Sequence, residues 1–158
     1  MIKRRYWDAC TFLGWFNNES EKIGKCLGVK KLAEDGELII ITSAITLTEV
    51  VWLKGHPRLS KESENTISEF FEQPFIAVRS VDRTIAEEAR KLIWKHNVQP
   101  KDAIHVATAL QLKVPDFDTF DDGLTKLDGK LGNPKLRIGH PNISYQELID
   151  FPDEAEDV

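Results

Sequence analysis

Pro100-Lys101-Asp102-Ala103-Ile104-His105-Val106-Ala107-Thr108-Ala109-Leu110 opens with a residue suited to the first turn of a helix. It then sets Ala103, Val106, Ala107 and Leu110 along one apolar stripe. A helix with a single apolar stripe must bury it, and short aliphatic segments on both sides offer the surface. Arg4 to Asp8, Glu37 to Ser43 and Phe75 to Ser80 read as strands before it, and Asp116 to Phe120 and Lys135 to Gly139 as strands after it. Between the strands the period turns helical, at Thr11 to Phe16, Glu19 to Ala33, Thr46 to Lys54, Lys61 to Phe71 and Asp122 to Leu131. One more helix is capped by Asp82 and runs to about His96, with Ile85, Ala89, Leu92, Ile93 and His96 along one face. This alternation predicts a single α/β domain, with a mainly parallel central sheet of five strands flanked by helices.

A chain of 158 residues, 41% hydrophobic and 30% charged, has the size and composition of one soluble domain. The longest aliphatic stretch, Leu38 to Ile41, is far short of the roughly 20 residues of a membrane span. No apolar segment follows the basic start Lys3-Arg4-Arg5, so the expected location is the cytoplasm, away from membranes. Cys10 and Cys26 have no zinc spacing and are expected to remain thiols. The net charge of −5 excludes a general nucleic-acid-coating protein, which needs a basic excess against phosphates. Six acids and no base fall within residues 147–158, and without them the first 146 residues carry +1. The reading is a folded domain over 1–146 and an acidic, disordered tail over 147–158.

Acids fall at the strand ends. Asp8 closes the first strand, Glu49 lies in the first turn after the second, Asp102 in the first turn of the Pro100 helix, and Asp121 where the fourth strand becomes a helix. In an open parallel sheet, strand carboxyl ends and the helix starts that follow them gather along one edge, where ligand crevices form. The four acids could converge there although they are 41, 53 and 19 residues apart. Each also has a local reading: Asp8 and Asp121 as helix N-caps, Thr46-Leu47-Thr48-Glu49 as a capping box, and Asp102 as a dipole-favoured first-turn acid.

The segments Tyr6 to Leu13, Thr42 to Val50, Lys101 to Ala109 and Thr119 to Leu124 resemble, in order, the four acidic motifs of PIN-domain nucleases. Asp102 to Ala109 matches the family's Asp-x-x-His-x-Ala-x-Ala helix most closely, and the layout over residues 4 to 139 is similar to the VapC-type ribonuclease toxins. The resemblance implies a metal-dependent endoribonuclease, the toxin of a toxin–antitoxin pair. It would act on RNA, be restrained by a cognate antitoxin protein and form a homodimer. Asp8, Glu49, Asp102 and Asp121 match the family's metal-binding and catalytic acids, and Thr119 a hydroxyl that supports a carboxylate or water. Oxygen ligands suit Mg²⁺ or Mn²⁺, and a divalent cation would relieve the repulsion between crowded carboxylates.

Asp122 is read as an outer supporting group, Lys101 as a phosphate contact, His105 as a packing or hydrogen-bonding residue, and the four tryptophans as core. Cys10 stands where the family commonly has Ser or Asn and is read as a small packing group; Asp118 replaces an apolar strand residue. Asp116-Phe117-Asp118-Thr119 also mimics the nucleophile motif of haloacid-dehalogenase-like phosphatases. That motif belongs to an early strand, whereas only 39 residues follow it here. The competing function is a non-catalytic PIN-like module that binds RNA or protein and keeps its acids as caps.

Overall fold

Tyr6 and Trp7 are adjacent, fully buried, and packed in two different cores. They end β1 (Lys3–Trp7), and because successive strand side chains point to opposite faces, each anchors one side of the sheet. The computed structural model describes residues 2–142, so the expected tail at 147–158 lies outside the described residues. The remaining strands are β2 (Leu38–Ser43), β3 (Ile76–Arg79), β4 (Asp116–Asp118) and β5 (Arg137–Gly139). The helices are α1 (Ala9–Phe16), α2 (Ser20–Glu34), α3 (Thr46–Glu49), α4 (Glu64–Phe71), α5 (Arg83–His96), α6 (Pro100–Gln111) and α7 (Asp122–Thr125).

The strand order is β3-β2-β1-β4-β5, with every pairing parallel. The chain steps outward from β1 through β2 to β3, then returns to the other side of β1. The order therefore reverses between β1 and β4, and such switch points open a crevice at the strand carboxyl ends. Ile41, Ile85, Ala103, Val106, Ala107 and Phe117 pack with Tyr6 under α5 and α6. Phe12, Cys26, Val29, Ile40, Phe71 and Ile76 pack with Trp7 under α1, α2 and α4. The result is three layers, helix on sheet on helix. The small Ala103, Ala107 and Ala109 let α6 approach the sheet closely, which brings its first turn to the switch point.

The Asp82 cap is present, its side chain accepting from the Ile85 N–H at 2.9 Å. Asn97 ends α5 in the left-handed region at φ 54°, its N–H bonded to the Ile93 carbonyl, and turns the chain toward Pro100. Several elements are shorter than predicted, α3, α7 and β4 among them. α3 stops at Glu49 instead of Lys54, because Gly55 (φ 87°) and Pro57 turn the chain back and Leu59 N bonds to Val51 O at 3.1 Å. α7 stops at Thr125 instead of Leu131; Gly129, at φ 68°, folds the chain so that its N–H reaches Leu136 O. β4 ends at Asp118, two residues before the predicted Phe120; Thr119 N still bonds to Gly139 O at 2.8 Å, and Asp121, itself extended, follows as the N-cap of α7.

Candidate functional site

Asp8 follows β1 directly and caps α1. Its Oδ1 accepts from the Thr11 N–H at 3.1 Å, Thr11 Oγ1 at 2.9 Å and Cys10 Sγ at 3.1 Å, and its Oδ2 accepts from Thr119 Oγ1 at 2.5 Å. The Thr119 hydroxyl in turn accepts from the Asp121 N–H at 3.0 Å, so one hydroxyl ties the end of β1 to the segment after β4. Asp121 caps α7, accepting from the Gly123 N–H at 2.7 Å. Cap and site are thus the same residues at two of the four positions. Cys10 donates to Asp8 as a Ser would, and burial, with Asp8 beside it, pushes its thiol well above the usual range. It is held as a neutral donor, not a thiolate nucleophile.

Glu49 does not form the capping box that the sequence suggested. Thr46 is already helical, the cap position is Ile45, and no side chain caps α3. The Glu49 carboxylate instead lies 2.6 Å from His105 Nε2, and His105 Nδ1 lies 2.6 Å from the Tyr6 hydroxyl. His105 is 1% exposed, hydrogen-bonds through both ring nitrogens as the sequence reading expected, and also borders the pocket.

Asp8, Glu49, Asp102, Asp121 and His105 line one pocket of about 520 Å³ at the switch point, with Lys22, Lys54, His56 and Phe120 on its walls. The pKa of Asp102 is raised to about 6, first by burial and then by the negative charges of Asp121 and Asp8. Asp102 therefore lies within electrostatic reach of Asp121 and Asp8. Among the described residues no three His, Cys, Asp or Glu groups are drawn together as a ready cage for an ion. Mg²⁺ keeps several waters and takes few direct carboxylates, so acids spaced around a wet pocket fit it as an oxygen donor set. A larger concavity of about 860 Å³ lies elsewhere, lined by Leu47, Val51, Leu59, Ile67, Phe71 and Val78 among others. It is mainly apolar and contains none of the four acids.

Other expectations fare differently. Lys101 and Asp122 are exposed and do not line the pocket. The first turn of α6 directs Asp102 inward and leaves Lys101 to solvent, and Asp122 starts α7 beyond the capping Asp121. Asp118 is buried on the Trp7 face of the sheet, gripped by Arg5 Nε at 2.9 Å, Arg5 Nη2 at 2.6 Å and Trp7 Nε1 at 2.9 Å. It is bonded within the sheet and does not line the pocket. Trp7 is core, but Trp52 and Trp94 are 69% and 85% exposed, contrary to the reading of all four tryptophans as core. Lys54 and His56 reach the pocket from the turn after α3, which no local pattern announces.

This chain belongs to the PIN-domain family, whose model matches residues 6–130. Among solved structures it is similar to Mycobacterium tuberculosis VapC20, a sarcin-ricin loop cleaving toxin, at a TM-score of 0.62 and 17% identity over 77% of this chain and 94% of that one. It is also similar to a chain of a toxin–antitoxin complex from Klebsiella pneumoniae, at a TM-score of 0.58 and 20% identity over 88% of this chain and 99% of that one. At these identities the likeness is one of fold. No curated protein shows a significant match to this chain. Among the described residues no helix is long and apolar enough to cross a membrane.

Proposed function

We propose that this chain is a Mg²⁺- or Mn²⁺-dependent endoribonuclease, hydrolysing RNA phosphodiester bonds as the toxin of a toxin–antitoxin pair. The observation that carries this reading is the meeting of Asp8, Glu49, Asp102 and Asp121, from four separate elements, around one pocket at the switch point. A bound divalent cation would supply an activated water and offset charge developing at phosphorus. Asp8 is preset for this by Thr11, Thr119 and Cys10, which hold both its oxygens. Lys22 and Lys54 on the walls can meet RNA phosphates that the carboxylates alone would repel. The apolar groove near α3 and α4, with Leu47, Val51 and Trp52 exposed beside it, suits a protein partner and supports an antitoxin.

The test is RNA cleavage by protein freed of any copurifying antitoxin, with Mg²⁺ or Mn²⁺, EDTA, and Asp8→Asn as controls. Cleavage that persists in EDTA would refute the metal-dependent reading, and no cleavage with metal would favour a non-catalytic binding module.

The raised pKa of Asp102 gives a pH dependence with a definite sign. Divalent binding needs the carboxylate, so the proton competes with the metal below about pH 6. Apparent Mn²⁺ affinity should be about tenfold weaker at pH 5 than at pH 7.5. With its folded pKa above the unfolded value, Asp102 stabilises the metal-free protein at low pH and loses that contribution as pH rises through about 6. Calorimetric titration of Mn²⁺ at the two pH values checks the first point. Asp102→Asn should flatten this dependence.

A further inference from the structure

Glu49 stands at the end of a four-residue helix, followed by a long turn, with little local structure to hold its side chain. Yet it is 3% exposed and points into the acid pocket. Among the described residues its hydrogen-bond partner is His105, at 2.6 Å to Oε1. His105 comes from α6, a twelve-residue helix packed on the sheet, and its other ring nitrogen meets the Tyr6 hydroxyl at 2.6 Å. Tyr6 is itself fixed, stacked on Phe117 at 4.8 Å with 16° between the rings.

We propose that Tyr6 and His105 are a positioning pair for Glu49: the Tyr6 hydroxyl donates to His105 Nδ1, which places the imidazole proton on Nε2, where it donates to Glu49 Oε1 and leaves Oε2 to the pocket. The pair rests on the metal-site reading above but adds two residues to it, neither of which touches substrate. The chemistry favours this direction. A carboxylate only accepts, so Nε2 must carry a proton to bond it, and a neutral imidazole then offers Nδ1 as an acceptor. A phenol hydroxyl carries its proton at neutral pH, so Tyr6 has one to donate to Nδ1, 2.6 Å away. Partners that orient metal-binding side chains commonly change metal affinity by about 10–100-fold when removed.

Two measurements test the pair. In metal-free wild-type protein, long-range proton–nitrogen spectra should show His105 as the Nε2–H tautomer with a slowly exchanging ring proton, and Tyr6→Phe should shift its Nδ1 resonance. An Nδ1–H tautomer would overturn the proposal. Separately, Mn²⁺ affinity should fall about tenfold in His105→Leu and recover to within about threefold of wild type in His105→Gln, whose amide can still donate to Glu49. Equal affinities in the Leu and Gln variants, with wild type binding normally, would refute positioning alone. Wild type that binds no Mn²⁺ would instead refute the metal-site reading. Should His105→Leu fail to fold, Tyr6→Phe, which removes only one oxygen, decides the matter. It should weaken Mn²⁺ binding about threefold or more, and unchanged affinity would count against the pair.

Discussion

Asp8→Asn should lower RNA cleavage by at least about 10²–10³-fold, the cost of removing one preorganised charged group from a reaction site. The fold should survive. Asn is as good an N-cap as Asp, so its carbonyl oxygen can still accept from the Thr11 N–H that Asp8 now holds at 3.1 Å. On the other side the new amide would donate to the Thr119 hydroxyl, which at present donates to Oδ2. That hydroxyl can reverse its role because it is both donor and acceptor. What cannot be recovered is the charge, and with it the attraction for a divalent cation. Single-turnover cleavage and a thermal melt, run on the same preparation, separate the two contributions. An active Asp8→Asn variant would remove the centre of the proposed site. An inactive one with a collapsed melting transition would say only that the cap matters, and Asp8→Ser, a shorter cap without charge, would then take its place.

How much of this was legible beforehand depends on whether a residue answers to its neighbours in sequence or in space. Asp8, Asp102 and Asp121 were legible because strand ends and helix starts are local signals, and the structure puts all three in one pocket. Thr119 was legible only through the resemblance to the PIN-domain motifs, and its hydroxyl does link Asp121 to Asp8. Glu49 was legible from its place in the first turn after β2, but its competing local reading as a capping-box partner fails: the carboxylate meets His105, which lies 56 residues further along the chain and is its neighbour only once α6 packs on the sheet. The same blindness hid Tyr6, a plain core aromatic by pattern, and Lys54 and His56, which depend on where Gly55 and Pro57 turn the chain. Strand order was implied only in outline. The alternation of elements indicates a parallel sheet, but the return of β4 to the far side of β1 is a tertiary choice, and it is that choice that creates the pocket.

Asp118→Ala should destabilise the protein by about 3–5 kcal/mol while leaving Mn²⁺ affinity nearly unchanged. The carboxylate is 1% exposed and holds a two-pronged contact with Arg5, itself 3% exposed, as well as the Trp7 indole N–H. Strand alternation explains why it is there and not at the pocket. Trp7 and Asp118 are register partners across β1 and β4 and share the face that α1 and α2 cover, whereas Thr119 turns to Asp8. Removing Asp118 takes its two-pronged carboxylate from a guanidinium that is 3% exposed, and the loss of an ion pair's buried partner costs far more than the intact pair contributes. It follows that Arg5→Met combined with Asp118→Leu should regain most of the stability lost in the single variant. The recovery should stop short by about 1 kcal/mol, because the Trp7 N–H remains without its acceptor. Urea unfolding of Arg5→Met, Asp118→Leu and the double variant measures the coupling, and Mn²⁺ titration of the folded fractions measures the site. If Asp118→Ala unfolds like wild type and loses Mn²⁺ binding, Asp118 belongs to the metal site and the assignment of Asp121 fails. If stability falls and affinity holds, the acidic run from Asp116 to Asp122 divides between a structural Asp118 and a pocket Asp121.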